Sequence, residues 1–118
     1  MRILILEDNT YRLEKFKQMF IGCTLDITKD PNEANKWLQI QTYDYIFLDH
    51  DLEDYHYPED CMSKESTGLN TAIFIGQNKH LSPNAKIYIH SLNPAGVKRM
   101  QLAINRNVHT IPFYNLFK

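Results

Sequence analysis

Apolar residues in this chain occur in two alternating patterns, short unbroken runs and residues spaced three or four positions apart. The unbroken runs are bounded by polar and turn-forming residues and are mostly Ile, Leu, Val, Phe and Tyr, which is typical of strands buried on both faces of a parallel sheet. Five strands are predicted in this way, the second of them short and weak: 2–6, 25–27, 45–48, 86–89 and 108–111.

The spaced apolar residues predict a helix after each of the first four strands. Asn9 or Thr10 can cap the first helix, and Asp30 followed by Pro31 is a typical helix start. Two further helix starts are predicted at Gly68 and Pro94. Strands that alternate with helices predict an α/β fold, in which a five-stranded parallel sheet carries helices on both faces.

Length and composition predict one folded, soluble domain over residues 1–118. Residues 53–67 are polar and predict a long loop, and residues 113–118 predict a short tail helix. The net charge of −1 gives no basic excess, so binding to bulk nucleic acid is not expected.

Two cysteines, Cys23 and Cys61, lack metal-ligand spacing and are predicted to be reduced thiols of a cytoplasmic protein. The sequence begins with a predicted strand instead of a signal segment, and no apolar run approaches the length that spans a membrane. We therefore expect a cytoplasmic location and no membrane partner.

Acidic residues or histidines come directly after three of the predicted strands. Because the carboxyl ends of parallel strands meet at one edge, where open α/β sheets bind ligands, these side chains predict a site. Buried carboxylates are costly unless they are paired or bind a metal, which strengthens this prediction. The residues are Glu7 and Asp8 after the first strand, Asp49, His50 and Asp51 after the third, and His90, Ser91 and Asn93 after the fourth.

The order of elements, the acidic pair after the first strand and the aspartate after the third resemble a response-regulator receiver domain. The resemblance implies a flavodoxin/receiver fold. It also implies that Glu7 and Asp8 bind Mg²⁺, that Asp49 accepts a phosphoryl group and that Ser91 contacts phosphoryl oxygens. A hard divalent cation prefers such carboxylate and carbonyl oxygens.

Three features depart from that pattern. Ile111 precedes Pro112 where receivers carry a lysine, His50 and His90 flank the predicted site, and the segment after the third strand is longer than usual. These features are similar to the cyclic-phosphate processing receiver domains, a group predicted to act on cyclic phosphates or cyclic nucleotides in prokaryotic or phage conflict systems. The residues that carry this resemblance are Glu7 and Asp8 with Arg12, residues 48–52, and residues 90–93 with Met100.

This second resemblance implies a metal-dependent phosphoesterase, with Mg²⁺ or Mn²⁺ as cofactor and a cyclic phosphate or nucleotide as partner. The expected metal ligands are Glu7, Asp8, Asp49 and Asp51, the last through its side chain or its carbonyl. The expected catalytic residues are Asp49, His50 and His90, and the expected phosphate-binding residues are Arg12, Ser91 and Asn93. Histidines suit acid–base chemistry near neutral pH, and a guanidinium matches phosphate oxygens.

Ordinary structural roles and other functions stay open. Carboxylates such as Glu7 and Asp8 favour a helix N-terminus, Ser91 and Asn93 can cap the fourth helix, and a lone histidine or arginine is often structural. A stand-alone receiver phosphorylated on Asp49, or a degenerate binding module, would act with a protein partner or as a homodimer. A third alternative is a Toprim-like phosphotransfer domain, which also places Glu after one strand and Asp-x-Asp after a later one.

Overall fold

The protein folds around one parallel sheet of five strands. The structure is a computed structural model, and it describes residues 1–49, 68–90, 94–106 and 108–110. The strands are β1 (Arg2–Leu6), β2 (Thr24–Thr28), β3 (Tyr45–Leu48), β4 (Lys86–Ile89) and β5 (Val108–Thr110). Their order in the sheet is β2-β1-β3-β4-β5, which confirms the predicted five-stranded parallel sheet.

Four helices connect the strands, as the sequence predicted: α1 (Thr10–Met19), α2 (Pro31–Ile40), α3 (Gly68–Gln77) and α4 (Pro94–Ile104). Asn9, and not Thr10, is the N-cap of α1, since its side chain accepts a hydrogen bond from the Arg12 amide. Asp30 caps α2 in the same way. None of the helices in the described ranges is long and apolar enough to cross a membrane.

The apolar core lies on the two faces of the sheet, because successive strand residues point to opposite sides. On one face Leu6, Leu48 and Ile89 pack with α2, α3 and α4. On the other face Ile5 and Phe47 pack with α1. β1 and β3 are therefore buried on both sides of the sheet, which is why each of them is an unbroken run of apolar residues.

Helices α3 and α4 approach each other closely at Gly76. A Cβ atom at this position would lie 1.8 Å from the carbonyl oxygen of Ala103, so only glycine fits there without a shift of the backbone. This contact fixes the spacing of the two helices that cover one face of the sheet.

Two element boundaries differ from the sequence prediction. β2 is longer than residues 25–27, because Thr24 and Thr28 also pair with β1. α1 ends at Met19, one residue earlier than expected. The predicted loop 53–67 and the predicted tail helix 113–118 lie outside the described residues.

Candidate metal centre

Three side chains meet at the carboxyl edge of the sheet: Glu7, Asp49 and His90. Leu6, Leu48 and Ile89 are register partners across β1, β3 and β4, so the residue after each one stands at the same level. The Asp49 amide donates to the Leu6 carbonyl at 3.2 Å, and the His90 amide donates to the Leu48 carbonyl at 3.0 Å. The hydrogen bonds between the strands therefore continue for one residue beyond the strand ends and fix the backbone of Asp49 and His90.

This cluster is buried and compact. Glu7, Asp49 and His90 are exposed by only 1%, 3% and 1% of their surface. One potential ligand atom from each residue lies within 4.8 Å of the other two. Two carboxylates and an imidazole at this spacing form a donor set that fits a divalent metal ion.

The carboxylate of Glu7 is surrounded by N–H donors. Its Oε2 accepts from the amides of Asp8 at 2.9 Å and Asn9 at 3.3 Å and from Nη2 of Arg12 at 3.1 Å. Its Oε1 accepts from Nε of Arg12 at 2.5 Å and lies 3.2 Å from Nε2 of His90. These contacts orient the carboxylate firmly at the start of α1.

The electrostatics of the cluster follow from these contacts. Burial raises the pKa of Glu7, but the hydrogen bonds from His90 and Arg12, together with the positive charges that these two groups can carry, outweigh burial and lower this pKa to about 2. Burial lowers the pKa of His90, and this effect exceeds the opposing influence of the Glu7 carboxylate. At neutral pH we therefore assign an ionised Glu7 and a neutral His90 that donates its Nε2 proton to Glu7.

Arg12 connects the two carboxylates of the cluster. Besides its two contacts with Glu7, its Nη2 forms an ion pair with Oδ2 of Asp49 at 3.4 Å. The side chain of Arg12 is 19% exposed, whereas those of Glu7 and Asp49 are almost fully buried. Arg12 therefore supplies a positive charge where a cation bound by Glu7 and Asp49 would also lie.

The structure brings four of the predicted site residues into contact: Glu7, Arg12, Asp49 and His90. Asp8 is also buried, but it is not one of the three residues that meet the metal-ligand spacing. The other predicted site residues lie outside the described part of the chain: His50, Asp51, Ser91 and Asn93. The functional roles assigned to all of these residues stay predictions.

Two features of the centre were not expected from the sequence. His90 was assigned acid–base chemistry only, whereas its ring also meets the spacing of a potential metal-binding group with Glu7 and Asp49. The ion pairs of Arg12 were also not expected. Glu7 and Arg12 are five positions apart, a spacing that differs from that of side-chain pairs on a helix, and they meet because the turn at Asn9 folds the chain back.

Several solved structures with the same fold are receiver domains. A CheY-like response regulator receiver from Methanospirillum hungatei JF-1 is 18% identical, with a TM-score of 0.64 over 98% of this chain and 86% of that one. The response regulator TrrA of Thermotoga maritima, solved with Mg²⁺ and BeF, is 22% identical, with a TM-score of 0.63 over 98% and 89%. The receiver domain of a Pseudomonas aeruginosa PAO1 sensor histidine kinase, solved with magnesium in its active-site cleft, is 19% identical, with a TM-score of 0.68 over 98% and 89%.

These similarities and the sheet order show that the protein has a flavodoxin-like α/β fold of the kind found in receiver domains. Its family is more specific. The sequence model of the cyclic-phosphate processing receiver domain matches residues 2–106, and the chain belongs to that family. No curated protein matches the sequence.

Proposed function

We propose that this receiver domain is a metal-dependent phosphodiesterase that hydrolyses a cyclic phosphate or cyclic nucleotide. The observation that carries the proposal is the buried imidazole of His90, 3.2 Å from the Glu7 carboxylate and grouped with Asp49. An imidazole is a proton carrier near neutral pH, which transfer of a phosphoryl group to an aspartate does not require. Ile111, where phosphorelay receivers carry a lysine, points in the same direction.

Glu7 and Asp49 would hold the metal ion, with Asp8 and Asp51 as additional ligands of the proposed site. Oxygen donors of this kind fit Mg²⁺ or Mn²⁺. When bound, the ion would neutralise charge on the phosphate and polarise its P–O bonds.

The histidines would move the protons of the reaction. Hydrolysis joins a water oxygen to phosphorus and breaks one of the two ester P–O bonds of the ring. The water loses a proton to a base, and the leaving oxygen gains a proton from an acid. In the proposal His90 and His50 share these roles, and Glu7 orients the imidazole of His90 through the contact with Nε2.

Phosphate binding is assigned to Arg12, Ser91 and Asn93. The guanidinium of Arg12 belongs to a partly exposed side chain, lies beside the carboxylates and has the planar donor geometry that matches phosphate oxygens. Ser91 and Asn93 directly precede α4, where the positive end of a helix favours an anion.

The proposal is tested by measuring turnover of 2′,3′- and 3′,5′-cyclic nucleotides with Mg²⁺, with Mn²⁺ and with chelator. We expect metal-dependent hydrolysis, and we expect His90→Gln to lower the rate by a factor on the order of 10²–10⁴, the usual contribution of acid–base catalysis. His80→Gln is the matched control, because His80 is exposed in the turn that follows α3. Absence of turnover across the panel, with the metal bound, would contradict the proposal.

A phosphorelay receiver is the second candidate function. Asp49 is buried directly after β3, in the position that accepts phosphoryl groups in receiver domains, and such a protein would act through a partner or a homodimer. An acyl-phosphate donor should then label Asp49 stably, and His90→Gln should leave the labelling nearly unchanged. Stable labelling without turnover would favour this function over hydrolysis.

A further inference from the structure

We infer that Arg12 is an internal competitor of the metal ion: the metal must displace its guanidinium from Glu7 and Asp49, and the displaced guanidinium then binds the substrate phosphate. This inference rests on the metal site of the proposed function. Its consequence is that metal and phosphate bind cooperatively, in an order set by one side chain.

The first argument is the number of donors around Glu7. A carboxylate offers about four lone-pair positions to donors or metals. Five N–H groups already surround this one: the amides of Asp8 and Asn9, Nε and Nη2 of Arg12, and Nε2 of His90. A metal ion therefore cannot bind to Glu7 unless a donor leaves.

The second argument identifies the donor that leaves. The amides of Asp8 and Asn9 belong to the turn that starts α1, and Asn9 also caps this helix. His90 is fully buried, with its ring centre 5.2 Å from that of Phe16. Arg12 has a long flexible side chain that is 19% exposed, so it is the donor that can move into solvent without disturbing the core.

The third argument is charge. The guanidinium lies between the carboxylates of Glu7 and Asp49 and contacts both of them. A divalent ion held by the same oxygens would stand beside this positive charge, and like charges repel strongly in a partly desolvated site. Binding of the metal and contact of Arg12 with both carboxylates are therefore mutually exclusive.

The displaced guanidinium remains anchored to α1, next to the site. A phosphate bound at the metal provides the negative oxygens that the guanidinium loses when it leaves the carboxylates. Metal binding thus makes Arg12 available to the anion, and by thermodynamic linkage the anion must strengthen metal binding to the same extent.

The inference is tested with Arg12→Gln, which removes the charge while keeping a polar side chain of moderate length. Calorimetric titration with Mn²⁺ should show tighter binding than in the wild type, by a factor on the order of ten, within the usual range of coupling between sites. Inorganic phosphate, titrated with Mg²⁺ present, should bind about tenfold more weakly to the same variant. Mg²⁺ should strengthen phosphate binding in the wild type and should have a smaller effect in the variant.

Two further variants control this experiment. Lys17→Gln makes the same change of charge on α1, but Lys17 is exposed and pairs with Glu14 at 3.5 Å, so both affinities should stay as in the wild type. Arg12→Lys keeps the charge and loses the paired contacts with Glu7, so its Mn²⁺ affinity should lie between those of the wild type and Arg12→Gln. Circular dichroism must show that the variants are folded; if Arg12→Gln is unfolded, Arg12→Lys provides the test.

The possible outcomes separate this inference from the proposed function. Equal or weaker Mn²⁺ binding in folded Arg12→Gln would overturn the inference, even if the wild type hydrolyses a cyclic nucleotide. Tighter Mn²⁺ binding in a protein without turnover would support the inference and leave the hydrolase proposal contradicted. Absence of Mn²⁺ binding in both wild type and variant would overturn the metal site and, with it, the inference.

Discussion

Glu7 and His90 are 83 positions apart in the sequence, and yet Oε1 of one lies 3.2 Å from Nε2 of the other. Their strands are not neighbours, because β3 lies between β1 and β4. The two side chains therefore meet across the end of β3, where Asp49 is located. The contact closes a buried cluster in which three strand ends contribute one polar side chain each.

Metal should stabilise the native protein, because the carboxylates of Glu7 and Asp49 lie close together only in the folded state. At a metal concentration about 100 times the dissociation constant, the free energy of unfolding should rise by about 2.7 kcal/mol. Thermal melts with Mn²⁺ and with chelator measure this difference. Asp49→Asn should remove most of it, whereas Asp44→Asn, at an exposed aspartate before β3, should not. If Asp49→Asn kept the full stabilisation by Mn²⁺, the ion would have to be bound by other residues.

Acid should destabilise the metal-free protein in a defined range of pH. Because the pKa of Glu7 falls from 4.5 to about 2 on folding, its contribution is present above pH 4.5 and is lost as the pH falls toward 2. The loss should amount to roughly 3 kcal/mol. The lowered pKa of His90 acts in the same direction, because protonation below its ordinary pKa of 6.5 favours the unfolded state.

Urea unfolding between pH 7 and pH 2 measures this dependence. Glu7→Gln should flatten the curve below pH 4.5, because the amide has no proton to gain. Glu14→Gln, at an exposed side chain, should leave the curve as in the wild type. Identical curves for the wild type and Glu7→Gln would show that the carboxylate does not have a lowered pKa in the folded protein.

Tyr43 should resist ionisation in the native protein. Burial raises its pKa, and the hydrogen bond that its hydroxyl donates to Oδ2 of Asp26 at 2.8 Å raises it further. The stabilising contribution of the neutral phenol is complete below the unfolded pKa of 10.0 and is lost as the pH rises above it. Ultraviolet titration should show a late ionisation step for Tyr43, and Tyr43→Phe should abolish this step at a cost of about 1 kcal/mol.

Gly76→Ala should destabilise the protein by about 3 kcal/mol, because the added Cβ would meet the carbonyl of Ala103 at 1.8 Å and force α3 and α4 apart. Gly22→Ala is the informative comparison, since no atom lies within 4 Å of its added Cβ but its φ of +89° is unfavourable for alanine. We expect a cost of about 1 kcal/mol there. Equilibrium unfolding in urea distinguishes the two values, and a neutral Gly76→Ala would contradict the close helix contact.

The strands and the location of the site could be predicted from the sequence because β1, β3 and β4 consist almost entirely of apolar residues that pack in the core. Such strands are unbroken apolar runs, and the polar residue that ends each run marks the edge of the sheet. The ends of β2 were missed because Thr24 and Thr28 are polar residues on an edge strand, where pairing with β1 determines the length. Pairing across the sheet is not visible in local sequence.

The contacts of Arg12 and His90 could not be predicted in the same way. The Glu7–His90 and Arg12–Asp49 contacts join parts of the chain that only the three-dimensional fold brings together. A charged residue one turn into a helix is usually solvated, and nothing in its spacing from Glu7 indicated an ion pair. The register of β1, β3 and β4 explains the contact between Glu7 and His90, because it places the two residues at the same level of the sheet.

The two backbone amides that donate to Glu7 provide the centre with a spectroscopic probe. The protons of Asp8 and Asn9 point at Oε2, so their NMR chemical shifts depend on the charge that this oxygen carries. Protonation of the carboxylate, a bound cation and a departing guanidinium would each move these two resonances by a different amount. Two peaks in an amide spectrum can therefore follow what happens at a buried side chain without any added label.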